Sequence, residues 1–251
     1  HYVVIGGWLD SFLDEHKWLV RLLKKFDAIY VESDMMKSAL QRRGFENAVV
    51  MYNFKELEPL AESDIEYPKS EPYKLCTFSR VMKEKGIEDA INAVESVNAH
   101  FGRTVYTLDI FGQVDVEYKE RFSQLEKSFP DYISYGGAIE ANKSVETLES
   151  YFALLFPTYY KGEGFAGTLI DAMSAGVPVI ASDWKYNPEF VVPGKTGVII
   201  KNCNAERLVE ELINIAAAPE KWNSMRLSAL KESEKYKPDI AARPLIDRIN
   251  G

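Results

Sequence analysis

Two short stretches of the sequence place charged side chains beside glycines, as in loops that hold phosphates or sugars. The first, "FSRVMKEKG" at residues 78–86, carries Arg80 and Lys85 between a predicted strand and a predicted helix. Backbone N–H groups at the start of a helix attract anions, and two nearby cations would strengthen the binding of phosphate. A solvated surface loop has the same polar composition, so this stretch alone leaves both interpretations open.

The second stretch, "KGEGFAGTLIDAMSAGVPVIAS" at residues 161–182, sets Glu163 ahead of small residues and Asp171 about one turn into a predicted helix. A carboxylate at Glu163 can accept hydrogen bonds from sugar hydroxyls, and one at Asp171 can bind a ribose diol. The alternative interpretation is that Glu163 is an ordinary turn residue and that Asp171 is an exposed helix position. Glycines let a backbone approach a ligand closely, and small neighbours leave room for it. These small residues are Gly164, Ala166, Gly167 and Thr168.

The rest of the chain alternates predicted strands with predicted helices. Apolar runs such as "YKLCTFS", "VYTLDIFG" and "FALLFPT" are typical of buried strands. This alternation predicts an α/β fold with a mostly parallel sheet covered by helices on both faces. Ligands of such sheets lie at the carboxyl ends of the strands, so the loops there are where we expect chemistry.

A charged, proline-bearing stretch at residues 55–72 has no clear periodicity, and we interpret it as a linker. It separates residues 1–54, a partial α/β domain, from residues 73–251, which we expect to form the larger domain. In the first part we predict a helical stretch over residues 9–26 and a second helix with Asp34 as its N-cap. The apolar side of the 9–26 stretch would consist of Phe12, Leu19, Leu22, Leu23 and Phe26.

Composition argues against several classes of partner. The 251 residues carry a formal net charge of -8 and give a pI near 5.1, which disfavours nucleic acid or an anionic membrane as the main partner. Cys76 and Cys203 lie far apart without ligand-like spacing, so we expect no disulfide or zinc framework and a reducing compartment. No apolar run approaches the roughly 20 residues that span a bilayer. The chain opens at His1 without Met, and we interpret it as a piece of a longer protein.

Taken together, these stretches resemble the retaining, nucleotide-sugar-dependent glycosyltransferases of family 4, which have the GT-B fold of two facing Rossmann-like domains. Their donor domain carries serine or glycine, then Arg, then Lys-Gly, here "SRVMKEKG". It also carries two acids separated by seven residues that overlap an Ala-x-x-x-Gly-x-Pro-Val pattern, here "EGFAGTLIDAMSAGVPVIAS". "LDIFG", "ISYGG" and "PEFVVPGKTGVII" extend the likeness over most of the chain after the linker. Residues 1–54, ending at Asn53 and Phe54, resemble the last part of the acceptor domain.

The resemblance implies roles for the site residues. As catalytic residues, Glu163 would hold the donor sugar, and Arg80 and Lys85 would neutralise the departing diphosphate. Asp171 would hold the ribose, and the backbone after Glu163 would reach sugar and phosphate. The implied donor-binding residues are Gly164, Phe165, Ala166, Gly167, Thr168 and Asp171.

The resemblance implies a nucleoside diphosphate sugar as donor substrate, with neither a cofactor nor a metal. The nearest Asp-x-Asp-like sequence, Asp115-Val116-Glu117, is better interpreted as a helix start. Two features depart from the family pattern. The second motif acid is Asp171 rather than Glu, and the early acceptor domain is missing, with its glycine-rich loop and a histidine near the transferred sugar. None of the histidines of this chain, His1, His16 and His100, matches that histidine.

The implied activity is transfer of a sugar to a hydroxyl acceptor with retention, in polysaccharide or glycoconjugate synthesis. The acceptor would be a glycan or a lipid-linked sugar, with no nucleic acid involved, and we expect this chain to be inactive alone. Two alternatives stay open: a nucleotide-sugar epimerase and a non-catalytic nucleotide-sugar-binding module. We expect a cytoplasmic location, and peripheral membrane association through the missing part stays open.

Overall fold

The computed structural model describes residues 1–4, 6–201 and 204–250, which form two units with one parallel sheet each. The first unit has strands in the order β1-β2-β3, joined by three helices. Its strands are β1 (Tyr2–Val3), β2 (Ile29–Val31) and β3 (Ala48–Val50), and its helices are α1 (Leu9–Glu15), α2 (Leu19–Leu23) and α3 (Asp34–Arg42).

The second unit is built on a six-stranded parallel sheet in the order β6-β5-β4-β7-β8-β9. The predicted α/β fold with a Rossmann-like parallel sheet is therefore confirmed. The strand order reverses between β4 and β7, and ligands of open α/β sheets bind at such a reversal. The strands are β4 (Tyr73–Phe78), β5 (Tyr106–Phe111), β6 (Ile133–Gly137), β7 (Ala153–Phe156), β8 (Val179–Ser182) and β9 (Gly197–Ile200).

Helices cover both faces of this sheet because successive strand residues point to opposite sides. Leu75 packs in the core beneath one face, whereas Cys76 packs in the core beneath the other. Cys76 is a buried free thiol whose pKa burial raises, and Cys203 lies outside the described residues. The helices are α4 (Ile87–Phe101), α5 (Lys119–Glu126), α6 (Ser144–Leu148), α7 (Gly167–Ser174), α8 (Asn187–Phe190), α9 (Ala205–Ala217), α10 (Pro219–Asn223), α11 (Arg226–Ser233), α12 (Pro238–Ala241) and α13 (Arg243–Asn250).

Two expectations for the first unit were wrong. The stretch over residues 9–26 forms two helices, α1 and α2, and Phe12 and Leu22 are 37% and 50% exposed instead of sharing a core face. Leu23 is buried as expected, and Leu19 and Phe26 pack against the same core. Leu9 and Leu13 are also buried there, although the predicted apolar side did not include them. The N-cap of α3 is Ser33, whose Oγ accepts the Met36 N–H at 3.0 Å, and Asp34 is the first helical residue.

Residues 55–72, all of which the structure describes, contain no strand or α-helix. Their one regular element is a 3₁₀ turn at Glu62–Asp64. This connector packs along the second unit, and its Leu60 N–H donates to the Ser174 carbonyl at 2.8 Å. The end of the chain returns to the first unit, where the Arg248 guanidinium donates to the Asp27 carbonyl at 3.0 Å. The division into domains at residues 54 and 72 stays a prediction.

Candidate active site

A cavity of about 500 Å³ opens at the carboxyl edge of the six-stranded sheet, beside the reversal of strand order. Loops after β4, β5, β6 and β7 surround it, together with the first turn of α7. The predicted site residues Arg80, Lys85, Glu163 and Asp171 all line it. The remaining lining residues are Lys55, Phe78, Ser79, Phe111, Gly112, Gln113, Ala138, Ile139, Tyr160, Ala166, Gly167 and Thr168.

Lys85 and Glu163 form a buried ion pair in this cavity. The Lys85 Nζ lies 3.0 Å from Oε1 and 2.7 Å from Oε2 of Glu163, and the Thr158 hydroxyl donates to the same Oε2 at 2.8 Å. The ammonium also lies 5.4 Å and 5.2 Å from the ring centroids of Phe156 and Tyr160, within the range of cation–π attraction. Both charged groups are thus fixed from several sides.

Lys85 is positioned by the turn that links β4 to α4. A 3₁₀ turn spans Lys83–Lys85, and Gly86 follows with a φ of 72°, in the left-handed region that favours glycine. A side chain on Gly86 would also collide with the Pro157 carbonyl. Gly86 therefore lets this turn approach the β7 loop closely, which brings Lys85 to Glu163.

Arg80 occupies the open side of the cavity. Its side chain is 58% exposed, and its guanidinium lies 3.8 Å from the Asp115 carboxylate. Asp115 also accepts the Glu117 N–H at 3.1 Å and begins the 3₁₀ turn before α5, as the sequence predicted. Arg80 thus adds a cation at the rim, where an incoming anion would meet it.

The N-terminal turn of α7 faces the cavity, and Asp171 lies one turn further along. The Asp171 carboxylate is almost fully buried and receives the Lys55 Nζ at 2.7 Å on each oxygen. Burial raises the pKa of Asp171, and the opposing effects of Lys55 and of a hydrogen bond from Ser144 are smaller. The hydroxyl oxygen of Thr168, in the first turn, is buried without a hydrogen-bond partner.

Gly164 and Phe165, two of the predicted donor-binding residues, do not line this cavity. The Phe165 ring stacks on Phe190 at a centroid distance of 3.7 Å, inside the hydrophobic core. Its backbone N–H donates to the Glu32 carboxylate at 3.1 Å. A side chain at Gly164 would collide with that carboxylate and with the backbone of Gly6, so this glycine permits contact with the first unit.

Carboxylates on both sides of the boundary between the units accept backbone N–H groups from the other side. Glu32, at the end of β2, binds Phe165 across the boundary and the Gly6 N–H at 3.1 Å within its own unit. Burial raises the pKa of Glu32, and these two hydrogen bonds offset part of the effect. Glu189 accepts the N–H groups of Asp34 at 2.7 Å and Met35 at 3.0 Å. The loop that carries Glu163 is thus tied to the first unit.

Sequence reasoning missed Lys55, Thr158 and Glu32. Lys55 lies in the charged connector, where its composition does not distinguish it from its neighbours. Thr158 lies five residues before Glu163 and two residues after the end of the apolar strand β7, a position that does suggest a role at the strand end. The structure alone reveals their contacts with the two motif acids and with the loop between them.

The histidines lie away from the cavity, and none of those in the described residues lines it. His1 stacks on Tyr30, and His16 stacks on Phe12. Within residues 1–4, 6–201 and 204–250, no group of three or more His, Cys, Asp or Glu side chains could hold a metal ion. Among the described residues, none of the helices combines the length and the hydrophobicity that a membrane-spanning segment needs.

The fold and the cavity together define a nucleotide-binding type of α/β protein, with its ligand crevice at the reversal of strand order. Residues 61–232 match the family described as glycosyl transferases group 1. Because this match covers more than half of the chain, the protein belongs to that family.

Individual relatives agree with this assignment. The chain is 31% identical over 178 residues to the UDP-N-acetylglucosamine–peptide N-acetylglucosaminyltransferase GtfA subunit of Streptococcus gordonii, covering 68% of this chain and 34% of that protein. The crystal structure of the pneumococcal O-GlcNAc transferase GtfA with UDP and GlcNAc matches with a TM-score of 0.73 and 20% identity, over 94% of this chain and 47% of that chain. Anabaena HepE with UDP and glucose matches with a TM-score of 0.77 and 16% identity, over 100% of this chain and 71% of HepE.

These structural likenesses show that the fold is that of GT-B glycosyltransferases. The chain spans between 34% and 50% of the length of the first three curated relatives that it matches. It therefore corresponds to a part of those proteins.

Proposed function

We propose that this chain is the donor-binding part of a retaining glycosyltransferase of family 4, together with the end of its acceptor domain. The observation that carries the proposal is the meeting of Lys85, Glu163, Asp171 and the start of α7 in one cavity at the reversal of strand order. The relatives of this chain include proteins named for UDP-N-acetylglucosamine, and these names support a uridine diphosphate sugar as the donor.

The cavity offers separate partners for the parts of such a donor. The diphosphate lies at the N-terminal turn of α7, where backbone N–H groups and the cations Lys85 and Arg80 attract negative charge. An ammonium has three N–H donors, so Lys85 can bind both Glu163 oxygens and still donate to a phosphate oxygen. Glu163 accepts hydroxyl hydrogen bonds from the sugar, and Asp171 accepts them from the ribose.

Transfer breaks the bond between the anomeric carbon and the diphosphate oxygen, and forms a bond from that carbon to the acceptor oxygen on the same face. Negative charge develops on the departing diphosphate, and cations fixed before the reaction stabilise it without further reorganisation. The hydroxyl proton of the acceptor passes to the departing diphosphate, whose oxygens gain the negative charge. In this proposal the acceptor is a glycan or lipid-linked sugar, residues 1–54 belong to its domain, and no metal or cofactor takes part.

Calorimetric titration of the 251-residue chain with UDP, UDP-sugars, ADP, GDP and uridine tests the donor assignment. We expect a uridine diphosphate to bind, and Arg80→Ala to weaken it by about 1.5–3 kcal/mol, the scale of a hydrogen bond to a charged group. Uridine binding should barely change. Arg121→Ala is the matched control, since Arg121 is a similarly exposed arginine paired with Glu88 outside the cavity.

Failure of every nucleotide to bind would refute the donor site. The activity is assayed on the chain and on its full-length protein, and we expect transfer only from the latter, because the chain corresponds to a part of its relatives. Conversion of a nucleotide sugar with no acceptor present would instead favour an epimerase. Intact binding without transfer by the full-length protein would favour a binding module.

A further inference from the structure

Lys55 reaches the candidate site from the connector between the two units. It follows the first unit in the chain, yet its side chain crosses to α7, where its Nζ lies 2.7 Å from both oxygens of Asp171. The Asp171 side chain is 2% exposed, whereas the Lys55 side chain is 29% exposed and lines the cavity. A ligand entering the cavity therefore finds the ammonium more accessible than the carboxylate behind it.

We propose that Lys55 is a ribose-binding residue that donates a hydrogen bond to a ribose oxygen while Asp171 accepts one from the same diol. The inference rests on the proposed function, because it presupposes that a nucleotide occupies the cavity. It assigns recognition of the ribose to a pair of residues rather than to the motif acid alone. One member of that pair belongs to the connector.

The hydrogen-bond capacities of the groups fit this arrangement. The ammonium has three N–H donors, of which the two oxygens of Asp171 occupy two. A ribose hydroxyl is both a donor and an acceptor, so neighbouring hydroxyls can accept from Lys55 and donate to Asp171. An isolated buried carboxylate would be a costly partner, and Lys55 supplies its countercharge.

The position of Lys55 along α7 also fits a nucleotide. A Cβ atom built on Gly167 would lie 3.5 Å from Lys55 Cε and 3.8 Å from its Nζ, so the lysine passes over the first residue of that helix. The phosphates would lie at the same helix terminus. The ribose of a nucleoside diphosphate lies next to its phosphates, which is where Lys55 and Asp171 meet.

Lys55 could bind the ligand or only neutralise Asp171. These two roles differ in how the loss of Lys55 changes the binding of nucleotides that carry or lack a given ribose hydroxyl. A lysine that only neutralises Asp171 acts on the ribose through Asp171, so its loss changes the same hydroxyl preference that Asp171→Asn changes. A lysine that binds a ribose hydroxyl affects a ligand only when that hydroxyl is present. Ligands that lack a single hydroxyl therefore separate the two roles.

The test is calorimetric titration of the full 251-residue chain with UDP, 2′-deoxy-UDP and 3′-deoxy-UDP. We expect the wild type to bind at least one deoxy analogue about ten-fold more weakly than UDP, the scale of one hydrogen bond to a charged group. In Lys55→Met, UDP should bind about ten-fold more weakly than in the wild type, and the preference over that analogue should disappear. Asp171→Asn should instead reduce the preference over the other analogue, because the neighbouring hydroxyl donates to Asp171, and loss of the same preference in both variants would mean that Lys55 only neutralises Asp171. Lys55→Gln replaces Lys55→Met if the latter folds poorly.

Lys195→Met is the matched control, because Lys195 pairs with the buried Glu232 at 3.1 Å and does not line the cavity. It should leave the preference for UDP unchanged. A full preference for UDP in Lys55→Met, or tighter UDP binding, would overturn the inference while leaving the proposed function intact. No UDP binding by the wild type would remove the proposed function and this inference together.

Discussion

Two lysine–carboxylate pairs lie in the same cavity, and they are built differently. Lys85 and Glu163 both belong to the second unit, and the Thr158 hydroxyl and two aromatic rings surround them. Lys55 and Asp171 join the connector to α7, with a more exposed lysine and a more deeply buried acid. The first pair is a fixed part of one unit, whereas the second couples the site to the segment between the units.

This difference bears on how the site responds to ligands and to mutation. Charges that are held from several sides are preorganised, which suits stabilisation of charge that develops during a reaction. A lysine on a connector without regular structure has fewer restraints, which suits a group that adjusts when a ligand arrives. Separate removal of each lysine should therefore give unequal losses of stability and different effects on binding.

The largest effect is expected for Lys85→Met. Its side chain is 12% exposed, and its loss would leave Glu163 buried without a countercharge. Breaking a buried pair in this way costs roughly 3–5 kcal/mol, and we expect the free energy of unfolding from urea titration to fall by that amount. Lys55→Met should cost less, since Lys55 is more exposed and burial raises the pKa of Asp171, which therefore takes up a proton more readily.

A double variant provides the control for this prediction. Lys85→Met combined with Glu163→Gln removes both charges, so its loss should be clearly smaller than the sum of the two single losses. Equal losses for Lys85→Met and Lys55→Met would contradict the distinction between the two pairs. Circular dichroism of each variant at low urea establishes that the comparison starts from folded protein.

The sequence allowed one pair to be anticipated more fully than the other. Arg80, Lys85, Glu163 and Asp171 were found because they lie on loops or a helix start beside predicted strands, and the parallel sheet brings such ends together. Lys55 is 116 residues from Asp171 in the chain and lies among other charged residues, so no local pattern marks it. Contacts of this range depend on how the connector crosses the second unit.

The fold was predictable to a similar extent. Alternation of apolar strands with helices specified the parallel sheet, because a buried strand and an amphipathic helix have different periods. The pattern could not show that Phe12 faces solvent or that α1 ends at Glu15, since exposure depends on which neighbours pack there. For the same reason Phe165 was expected at the donor, although its ring packs in the core.

A smaller effect is expected on ligand binding when Glu163 or Asp171 is made neutral, and the two variants should differ in which ligand they weaken. Glu163→Gln should weaken a UDP-sugar by roughly 1.5–3 kcal/mol, because a neutral amide is a poorer acceptor for sugar hydroxyls. The same variant should change UDP much less. Asp171→Asn should weaken UDP and the UDP-sugar about equally, because both ligands carry the ribose.

Calorimetric titration of both variants with both ligands gives the four affinities needed for this comparison. Glu189→Gln serves as the control, because Glu189 is a carboxylate of the second unit outside the cavity. An equal loss of UDP and UDP-sugar in Glu163→Gln would refute the sugar-holding role. Retention of both affinities in Asp171→Asn would refute the ribose-holding role.

The smallest effect concerns Glu32, whose described hydrogen bonds come from the backbone N–H groups of Gly6 and Phe165 rather than from a lysine. Burial raises its pKa above the ordinary value of 4.5, so the folded chain holds this proton more tightly than the unfolded chain does. The stability contributed by the neutral form is complete below pH 4.5 and is lost as the pH rises through the raised pKa. Glu32→Gln is neutral at every pH and should not show this loss.

Urea unfolding of the wild type and of Glu32→Gln across the range from pH 4.5 to neutrality measures the difference. We expect the variant to gain stability relative to the wild type as the pH rises, by about 1 kcal/mol, the usual scale of a single substitution. Glu189→Gln controls for loss of a carboxylate that accepts two backbone N–H groups at the same boundary. A difference between wild type and Glu32→Gln that does not change with pH would mean that the charge of Glu32 is fully compensated. In that case the two backbone N–H groups would stabilise the buried carboxylate of Glu32 as well as Lys85 and Lys55 stabilise Glu163 and Asp171. The contrast between carboxylates paired with lysine and a carboxylate bound only by backbone N–H groups would then fail.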